Sequence, residues 1–162
     1  MDKVKQMVEK TTTLRFDGSV WCNLDIALRN LDLVFRRVIH QVDVGSDPKS
    51  KLSVIEWYNL RALYEQDGQH ASDLANAVGR AATSFTPNLD KLQDKNLIER
   101  RPDPGDRRAV RIFLTDKGRK IEKQVNEAAV EIEKQIRSQF PQGEYENFLD
   151  IVARLQSMDA ES

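Results

Sequence analysis

One segment of the chain has the pattern of a β-hairpin with a tight tip, and it limits the available folds more than any other feature. Residues 97–101 (LIERR) and 109–114 (AVRIFL) are rich in residues that favour strands. Between them, residues 102–106 (PDPGD) combine the amino acids that favour turns. No other region of the sequence has a strand-like pattern, so we expect this hairpin to pack against a helical remainder.

Amphipathic helices are predicted over most of the remaining chain. Between Leu24 and Val42, apolar residues recur at alternating steps of four and three, as in a helix that packs through one stripe. Ser53 followed by Glu56 has the pattern of a capping box, and Asp67-Gly68 ends the helix that begins there. Three more helices are predicted: residues 72–78, a long one from Thr115 to near Pro141, and one marked by Tyr145, Phe148, Val152 and Leu155.

The short helix at 72–78 and the segment after it have the pattern of a helix-turn-helix. Ala75 is small where two helices would cross, and Gly79 tolerates the positive φ that the turn between them requires. A helix-turn-helix followed by a basic hairpin is the arrangement of a winged helix. The predicted fold is therefore mainly α with a small β-hairpin wing, a winged helix-turn-helix flanked by N- and C-terminal helices.

The charges are unevenly distributed along the chain. The formal net charge is -1, but residues 80–120 hold eleven Lys or Arg against six Asp or Glu, an excess of five positive charges. Four of these arginines, at positions 100, 101, 107 and 108, flank the tip of the hairpin. A basic middle between acidic flanks is typical of a DNA-binding module carried on a scaffold that does not bind DNA.

The composition argues against several other classes of protein. The one cysteine, Cys22, rules out an internal disulfide and a zinc site of several thiolates, and it favours a reducing cytoplasm. With two histidines and no nucleophile beside a base, we predict neither an enzyme nor a bound cofactor or metal. No apolar run approaches the roughly 20 residues that span a bilayer, and we expect no secretory signal and no membrane partner.

Four short segments between residues 72 and 118 form a recognisable pattern: residues 73–79 (DLANAVG), 97–101 (LIERR), 106–108 (DRR) and 114–118 (LTDKG). Together they resemble the multiple antibiotic resistance regulator (MarR) family. An Asp-x-Arg at the hairpin tip, five residues and then Leu-Thr-x-x-Gly form the specific part of this pattern. The helical flanks also match the layout of the family, which extends the resemblance to roughly residues 20–158.

The resemblance implies an obligate homodimer whose first and last helices intertwine, with two winged helices on one pseudo-palindromic operator and often a small ligand that abolishes binding. We expect residues 1–20 to form an N-terminal extension, residues 21–50 and 115–158 the helical dimerisation region, and residues 51–114 the DNA-binding domain. Within the extension, Val4, Met7 and Val8 mark a short helix that we expect to add to the dimer interface. The predicted function is sequence-specific transcriptional regulation on double-stranded DNA, with repression favoured.

The predicted DNA contacts follow from the way a winged helix docks. The N-terminal part of the second helix enters the major groove, so the short polar side chains there read bases, and Lys91 reaches phosphate. Arginines at the wing tip suit a narrow minor groove, and the family pattern implies that Asp106 orients the Arg108 guanidinium. The predicted DNA-binding residues are Ser72, Ala82, Thr83, Ser84, Thr86, Pro87, Asn88, Lys91, Arg101, Asp106, Arg107 and Arg108.

Pro87 and Asn88 depart from the family pattern, which has a good helix former and a leucine at these positions. Because a proline fits a helix without loss only in the first turn, we expect the helix to start near Thr83 or Ser84. Pro87 then lies in or just beyond that turn. Asn88 turns partly outward, where it can form paired hydrogen bonds with adenine.

Three features keep alternatives open. Phe35, His40, Trp57 and Tyr58 are candidates for the pocket of a small aromatic ligand, although aromatic residues at helical spacing are more often part of a core. Cys22 is either a thiol that senses oxidants or an incidental cysteine, and its neighbours do not match the redox-sensing branch of the family. Winged helices also bind proteins, so an interaction module is the main alternative to a DNA-binding regulator.

Overall fold

The structure, a computed structural model, describes residues 14–15, 18–47, 50–79, 82–106 and 108–158, without the side chains of residues 82–84. The helix predicted at Val4, Met7 and Val8 and the wing residue Arg107 lie outside these ranges. The chain divides into two compact units, residues 1–36 and 37–162, and each is described by itself.

The described chain is mainly helical, with one small sheet, which confirms the predicted fold class. No helix in the described ranges is long and apolar enough to cross a bilayer. The helices are α1 (Val20–Ile39), α2 (Val54–Glu65), α3 (Ala71–Ala77), α4 (Ala82–Asp94), α5 (Asp116–Lys120), α6 (Glu122–Arg137) and α7 (Glu144–Gln156), and the strands are β1 (Gln69–His70), β2 (Ile98–Pro102) and β3 (Val110–Leu114).

The sheet contains the predicted hairpin and one strand that the sequence pattern did not indicate. β2 and β3 pair antiparallel, with Glu99 opposite Phe113. β1 adds to the other side of β3, with Gln69 opposite Ile112, so the strand order is β1-β3-β2. The expectation of a single strand region is therefore wrong. β1 has only two residues, both polar, and pairs through its main chain, so it has no apolar alternation that a sequence could display.

The core of the second unit holds the helix-turn-helix, the sheet and α6 together. Leu60 and Leu63 of α2, Leu92 of α4 and Ile112 of β3 are fully buried. The indole of Trp57 is buried as well, and its Nε1 donates to the carbonyl oxygen of Val125 in α6 at 3.1 Å. The predicted capping box at the start of α2 is present.

The single helix predicted from Thr115 to near Pro141 is two helices. Thr115 caps the first of them, because its Oγ1 accepts a hydrogen bond from the main-chain N–H of Gly118 at 3.0 Å. Helix α5 ends after five residues, and Ile121, with φ -90° and ψ -1°, separates it from α6. The apolar spacing runs through the break because Ile121 is itself buried, so the sequence pattern does not reveal it.

The first unit holds most of α1. Asn23 closes its N-terminal turn, since Nδ2 donates to the carbonyl oxygens of Arg15 at 2.9 Å and Ser19 at 2.7 Å. Further along the helix, Leu28 and Leu33 are exposed.

Candidate nucleic-acid interface

The second helix of the helix-turn-helix, α4, is amphipathic. Phe85, Leu89 and Leu92 are buried at spacings of four and three, which seats the helix on the core. Thr86 and Lys91 are exposed. The turn before the helix contains Gly79 at φ 64°, as the helix-turn-helix pattern predicts. The helix therefore presents short polar side chains and one lysine to solvent.

Pro87 lies just beyond the first turn of α4, as predicted, although the helix starts one residue earlier than expected. The helix begins at Ala82, so Pro87 is its sixth residue and sits in the second turn. The helix reaches back to Ala82 because Phe85, one turn before Leu89, is part of the buried stripe. Pro87 itself is exposed, and Asn88 is half-buried. A proline here removes the main-chain donor that would bond to the carbonyl oxygen of Thr83.

Other predicted contacts to DNA stay predictions. Ser72 is exposed on α3, as a contact to the DNA backbone requires. The side chains of Ala82, Thr83 and Ser84 are not among those described, and Arg107 lies outside the described residues.

A buried ion pair fixes the C-terminal end of α4. The Glu56 carboxylate is only 1% exposed and lies 2.6 Å from Lys95 Nζ, which also donates to the carbonyl oxygen of Lys51 at 2.9 Å. The same carboxylate accepts the Ser53 N–H at 2.6 Å, as the capping box requires. Glu56 thus joins the start of α2 to the end of the recognition helix. The sequence indicated its capping role but not its partner, which is 39 residues away.

Arg100 joins the wing to the recognition helix. Its Nη1 donates to Gln93 Oε1 at 2.8 Å, and its Nη2 donates to Asp90 Oδ1 at 2.7 Å. These bonds tie β2 to α4. They also occupy the Arg100 guanidinium within the protein, although the count of positive charges alone would predict that it binds DNA. Arg101, the predicted contact beside it, is exposed, pairs with Glu99 and lies over the Phe113 ring at 4.6 Å from its centroid.

Asp106 acts on Arg108 in a different way from the one that the resemblance implied. Its Oδ1 accepts the main-chain N–H of Arg108 at 2.9 Å. Among the ion pairs of the described residues, none joins Asp106 to the Arg108 guanidinium. Asp106 is therefore a residue that shapes the turn, because an aspartate that accepts from the residue two positions on forms an Asx turn. The Arg108 side chain is exposed at the wing tip.

Asp103 is the buried acid of the wing, and sequence analysis treated it only as a turn former. Its Oδ1 accepts the N–H groups of Gly105 at 2.6 Å and Asp106 at 3.0 Å, and its Oδ2 accepts from Arg111 Nε. The Arg111 hydrogen bond is the largest of several effects that hold the pKa of the Asp103 carboxyl below its usual value, against the opposing effect of burial. The carboxylate is therefore ionised at neutral pH. The spacing of Asp103 and Asp106 was the available signal, since each can close an Asx turn.

The four candidate ligand-pocket residues have different surroundings. Trp57 is buried, Phe35 is half-buried, and His40 and Tyr58 are exposed. His40 lines an open depression formed by the loop after α1. A separate groove of about 240 Å³ lies between the end of α1 and α6, and none of the four lines it. Val38, Val42 and Ala128 supply its apolar wall, and its polar lining is Gln41, Gln124, Glu127 and Glu131.

Cys22 is a free, half-buried cysteine in α1. Within the described residues, no group of three or more His, Cys, Asp or Glu side chains is placed to hold a metal ion.

Comparison with known proteins establishes the family. A model of the MarR family matches residues 52–110, from just before α2 to the first residue of β3. The HTH-type transcriptional regulator PecS of Dickeya dadantii (strain 3937) is 33% identical over 111 residues, which cover 67% of each protein. The chain belongs to the MarR family. This MarR-family protein is a DNA-binding transcriptional regulator and not an enzyme, as predicted.

Solved structures of MarR-family regulators share the fold. A structure of Bordetella bronchiseptica BpsR, whose DNA binding is regulated by 6-hydroxynicotinic acid, superposes with a TM-score of 0.76 at 22% identity over 91% of this chain and 100% of that one. The transcriptional repressor CouR bound to a 23-mer DNA duplex superposes with a TM-score of 0.76 at 20% identity over 91% and 99% of the two chains. At these identities the likeness shows the fold alone.

Proposed function

We propose that this MarR-family regulator is a homodimer that represses transcription by occupying one pseudo-palindromic operator, and that a small aromatic ligand releases it. The observation that carries the proposal is apolar surface on the helices near the two ends of the chain, which the single chain leaves exposed to water.

Large apolar side chains of α1 and α7 are exposed. On α1, Leu24, Leu28 and Leu31, which are spaced four and three apart on one face, are 37%, 61% and 38% exposed, and on α7, Ile151 and Leu155, four apart, are 48% and 46% exposed. Burying such side chains contributes about 25 cal/mol per Å² of apolar surface, and contiguous exposed patches are typical of interfaces. We infer that both helices bury these residues against a second copy of the chain, in the arrangement that the family resemblance implies.

The winged helix supports binding in two grooves of a duplex. Helix α4 exposes Thr86 and Lys91 for the major groove, and the wing exposes Arg108 for the minor groove. In a dimer, two α4 helices about 34–36 Å apart reach successive major grooves on one face of the DNA. A dimer with two-fold symmetry in turn favours a pseudo-palindromic operator.

Relatives support repression and release by a ligand. CouR is described as a repressor, and BpsR as a protein whose DNA binding 6-hydroxynicotinic acid regulates. A ligand releases the operator only if it binds more tightly to a dimer whose α4 spacing misfits DNA. His40 and Tyr58 of the second unit are exposed and accessible to such a ligand, whereas Trp57 is buried.

A mobility-shift titration on the DNA upstream of the protein's own gene tests the proposal. We expect the wild type to prefer that DNA over a scrambled duplex, and Arg108→Ala to bind it more weakly by about 1–3 kcal/mol at the same salt. Lys123→Ala on α6 is the control for the loss of one positive charge, because Lys123 is exposed and lies outside the winged helix-turn-helix of residues 51–114. Equal affinity of wild type and Arg108→Ala would contradict the wing contact. Binding without preference for either duplex would instead support an interaction module.

The ligand is tested on the same complex. We expect one member of a panel of small aromatic acids to lower DNA affinity and to quench tryptophan fluorescence over the same concentration range. The chain has two tryptophans, Trp21, which is exposed, and Trp57, which is buried. If no acid in the panel has either effect, the aromatic effector is wrong.

A further inference from the structure

The tip of the wing consists of two Asx turns in series. Asp103 Oδ1 accepts the N–H groups of Gly105 and Asp106, two and three residues on. Asp106 Oδ1 then accepts the N–H of Arg108. The main chain also closes across the base of the tip, where Asp103 N–H donates to the carbonyl oxygen of Ala109 at 3.0 Å. The Asx turn at Asp103 therefore fixes the orientation of the Asx turn at Asp106, and that second turn fixes the position of Arg108.

The second oxygen of the Asp103 carboxylate links this tip to the helix-turn-helix. Oδ2 accepts from Arg111 Nε and lies 3.5 Å from His70 Nε2. Arg111 Nη1 in turn donates to the carbonyl oxygen of Gly68 at 3.0 Å. Gly68 and His70 are in the segment that enters α3 directly. One carboxylate therefore holds the wing tip and the start of the helix-turn-helix to each other.

Asp103 cannot contact DNA through its own carboxylate. The residue is 8% exposed, and both of its oxygens accept hydrogen bonds from the protein. Its effect on DNA must therefore pass through the part of the wing that it orders. Arg108 is the exposed arginine that the two turns position.

We propose that Asp103 is a positioning residue for DNA binding, which fixes the wing tip relative to the helix-turn-helix so that Arg108 is presented to the minor groove. The proposal rests on the wing contact of the proposed function. Without the Asp103 carboxylate, two N–H donors and the Arg111 guanidinium lose their common acceptor. The tip then samples many conformations, and binding DNA must order it again.

The direction of the change in DNA affinity distinguishes the positioning role of Asp103 from a general electrostatic effect of its charge. Removing a negative charge from a surface that approaches phosphate ordinarily strengthens DNA binding. Positioning predicts the reverse, a loss of affinity for Asp103→Ala. Asp94→Ala is the matched control, because Asp94 is an exposed aspartate at the end of α4, and we expect it to bind DNA as tightly as the wild type or more so.

A double-mutant cycle on the full-length protein tests the proposal. Affinity for the upstream duplex is measured for wild type, Asp103→Ala, Arg108→Ala and the double variant, and thermal unfolding is measured for each. We expect Arg108→Ala to bind the duplex roughly 5- to 150-fold more weakly than the wild type. Asp103→Ala should show most of the same loss of affinity. The double variant should bind within about two-fold of Arg108→Ala alone, because the two residues act as one unit.

A conservative variant separates the turn from the charge. Asp103→Asn keeps an oxygen that can accept the N–H groups of Gly105 and Asp106 but removes the charge that faces Arg111. We expect its affinity to lie between those of wild type and Asp103→Ala.

Three results would contradict the proposal, each at a different step. If Arg108→Ala binds as tightly as wild type, the wing contact itself is wrong. If Arg108→Ala loses affinity and Asp103→Ala does not, the positioning role is wrong. If the two losses add fully, Asp103 does not act through Arg108, which overturns the inference as well.

Discussion

Gly118→Ala is expected to destabilise the protein strongly, although alanine is ordinarily the better helix former. A Cβ on Gly118 would overlap the carbonyl oxygen of Leu97, and it would also lie 3.2 Å from the Leu97 carbonyl carbon and 3.3 Å from Leu114 Cδ2. The Leu97 oxygen cannot move freely, because it accepts the Thr115 N–H at 3.1 Å. Helix α5 must therefore shift away from the base of the wing.

The magnitude follows from three opposing effects. Forcing a carbon against main-chain atoms costs about 3 kcal/mol, the upper part of the range for overpacked cores. The shift also loosens the bond from Gly118 N–H to Thr115 Oγ1, and losing a helix cap costs about 1 kcal/mol. Replacing a helical glycine with alanine raises the free energy of unfolding by about 1 kcal/mol. The free energy of unfolding should fall by about 3 kcal/mol, which lowers Tm by roughly 6–12 °C for a chain of this size.

Thermal and urea unfolding, followed by circular dichroism, measure this loss. Gly143→Ala is the control, because Gly143 has a φ of 89° but no atom of the part of the chain that the structure describes lies within 4 Å of an added Cβ. That variant should lose only the cost of a left-handed conformation, about 1 kcal/mol. A Gly118→Ala variant that is as stable as Gly143→Ala would refute the close approach of α5 to Leu97.

Three further predictions concern the core and the ends of the chain. Glu56→Ala should cost about 3–5 kcal/mol of unfolding free energy because it leaves Lys95 without its buried partner, and the double variant Glu56→Leu/Lys95→Met should recover most of that loss in urea unfolding. Asn59→Leu should stabilise the protein by about 1–3 kcal/mol, since neither polar atom of this buried amide has a hydrogen-bond partner among the described residues; a lower Tm would show that the amide is satisfied. Deleting residues 141–162 should cause aggregation or unfolding, and a well-folded monomer in analytical ultracentrifugation would contradict the dimer.

The parts of the fold that the sequence predicts are those determined by neighbouring residues. The capping box of Ser53 and Glu56 and the positive φ of Gly79 each depend on a few consecutive positions. The hairpin is likewise predictable because its turn and both strands are contiguous in the chain. Local chemistry was therefore sufficient for these elements.

The parts that the sequence does not predict depend on residues far apart in the chain. Strand β1 exists because its main chain pairs with β3, about 40 residues later, so its two polar side chains carry no signal. The partner of Glu56 is likewise set by the packing of α2 against α4. Asp103 looks like any turn former until the fold brings Arg111 and the Gly68–His70 segment beside it.

Hydroxyl-radical footprinting of the protein on its operator tests the central claim, that a dimer of winged helices reads one duplex. We predict two protected segments per complex, centred about 10–10.5 base pairs apart on one face of the DNA. Flanking minor-groove protection should be present with wild type and absent with Arg108→Ala. A single protected segment, or a footprint that Arg108→Ala leaves unchanged, would contradict the account.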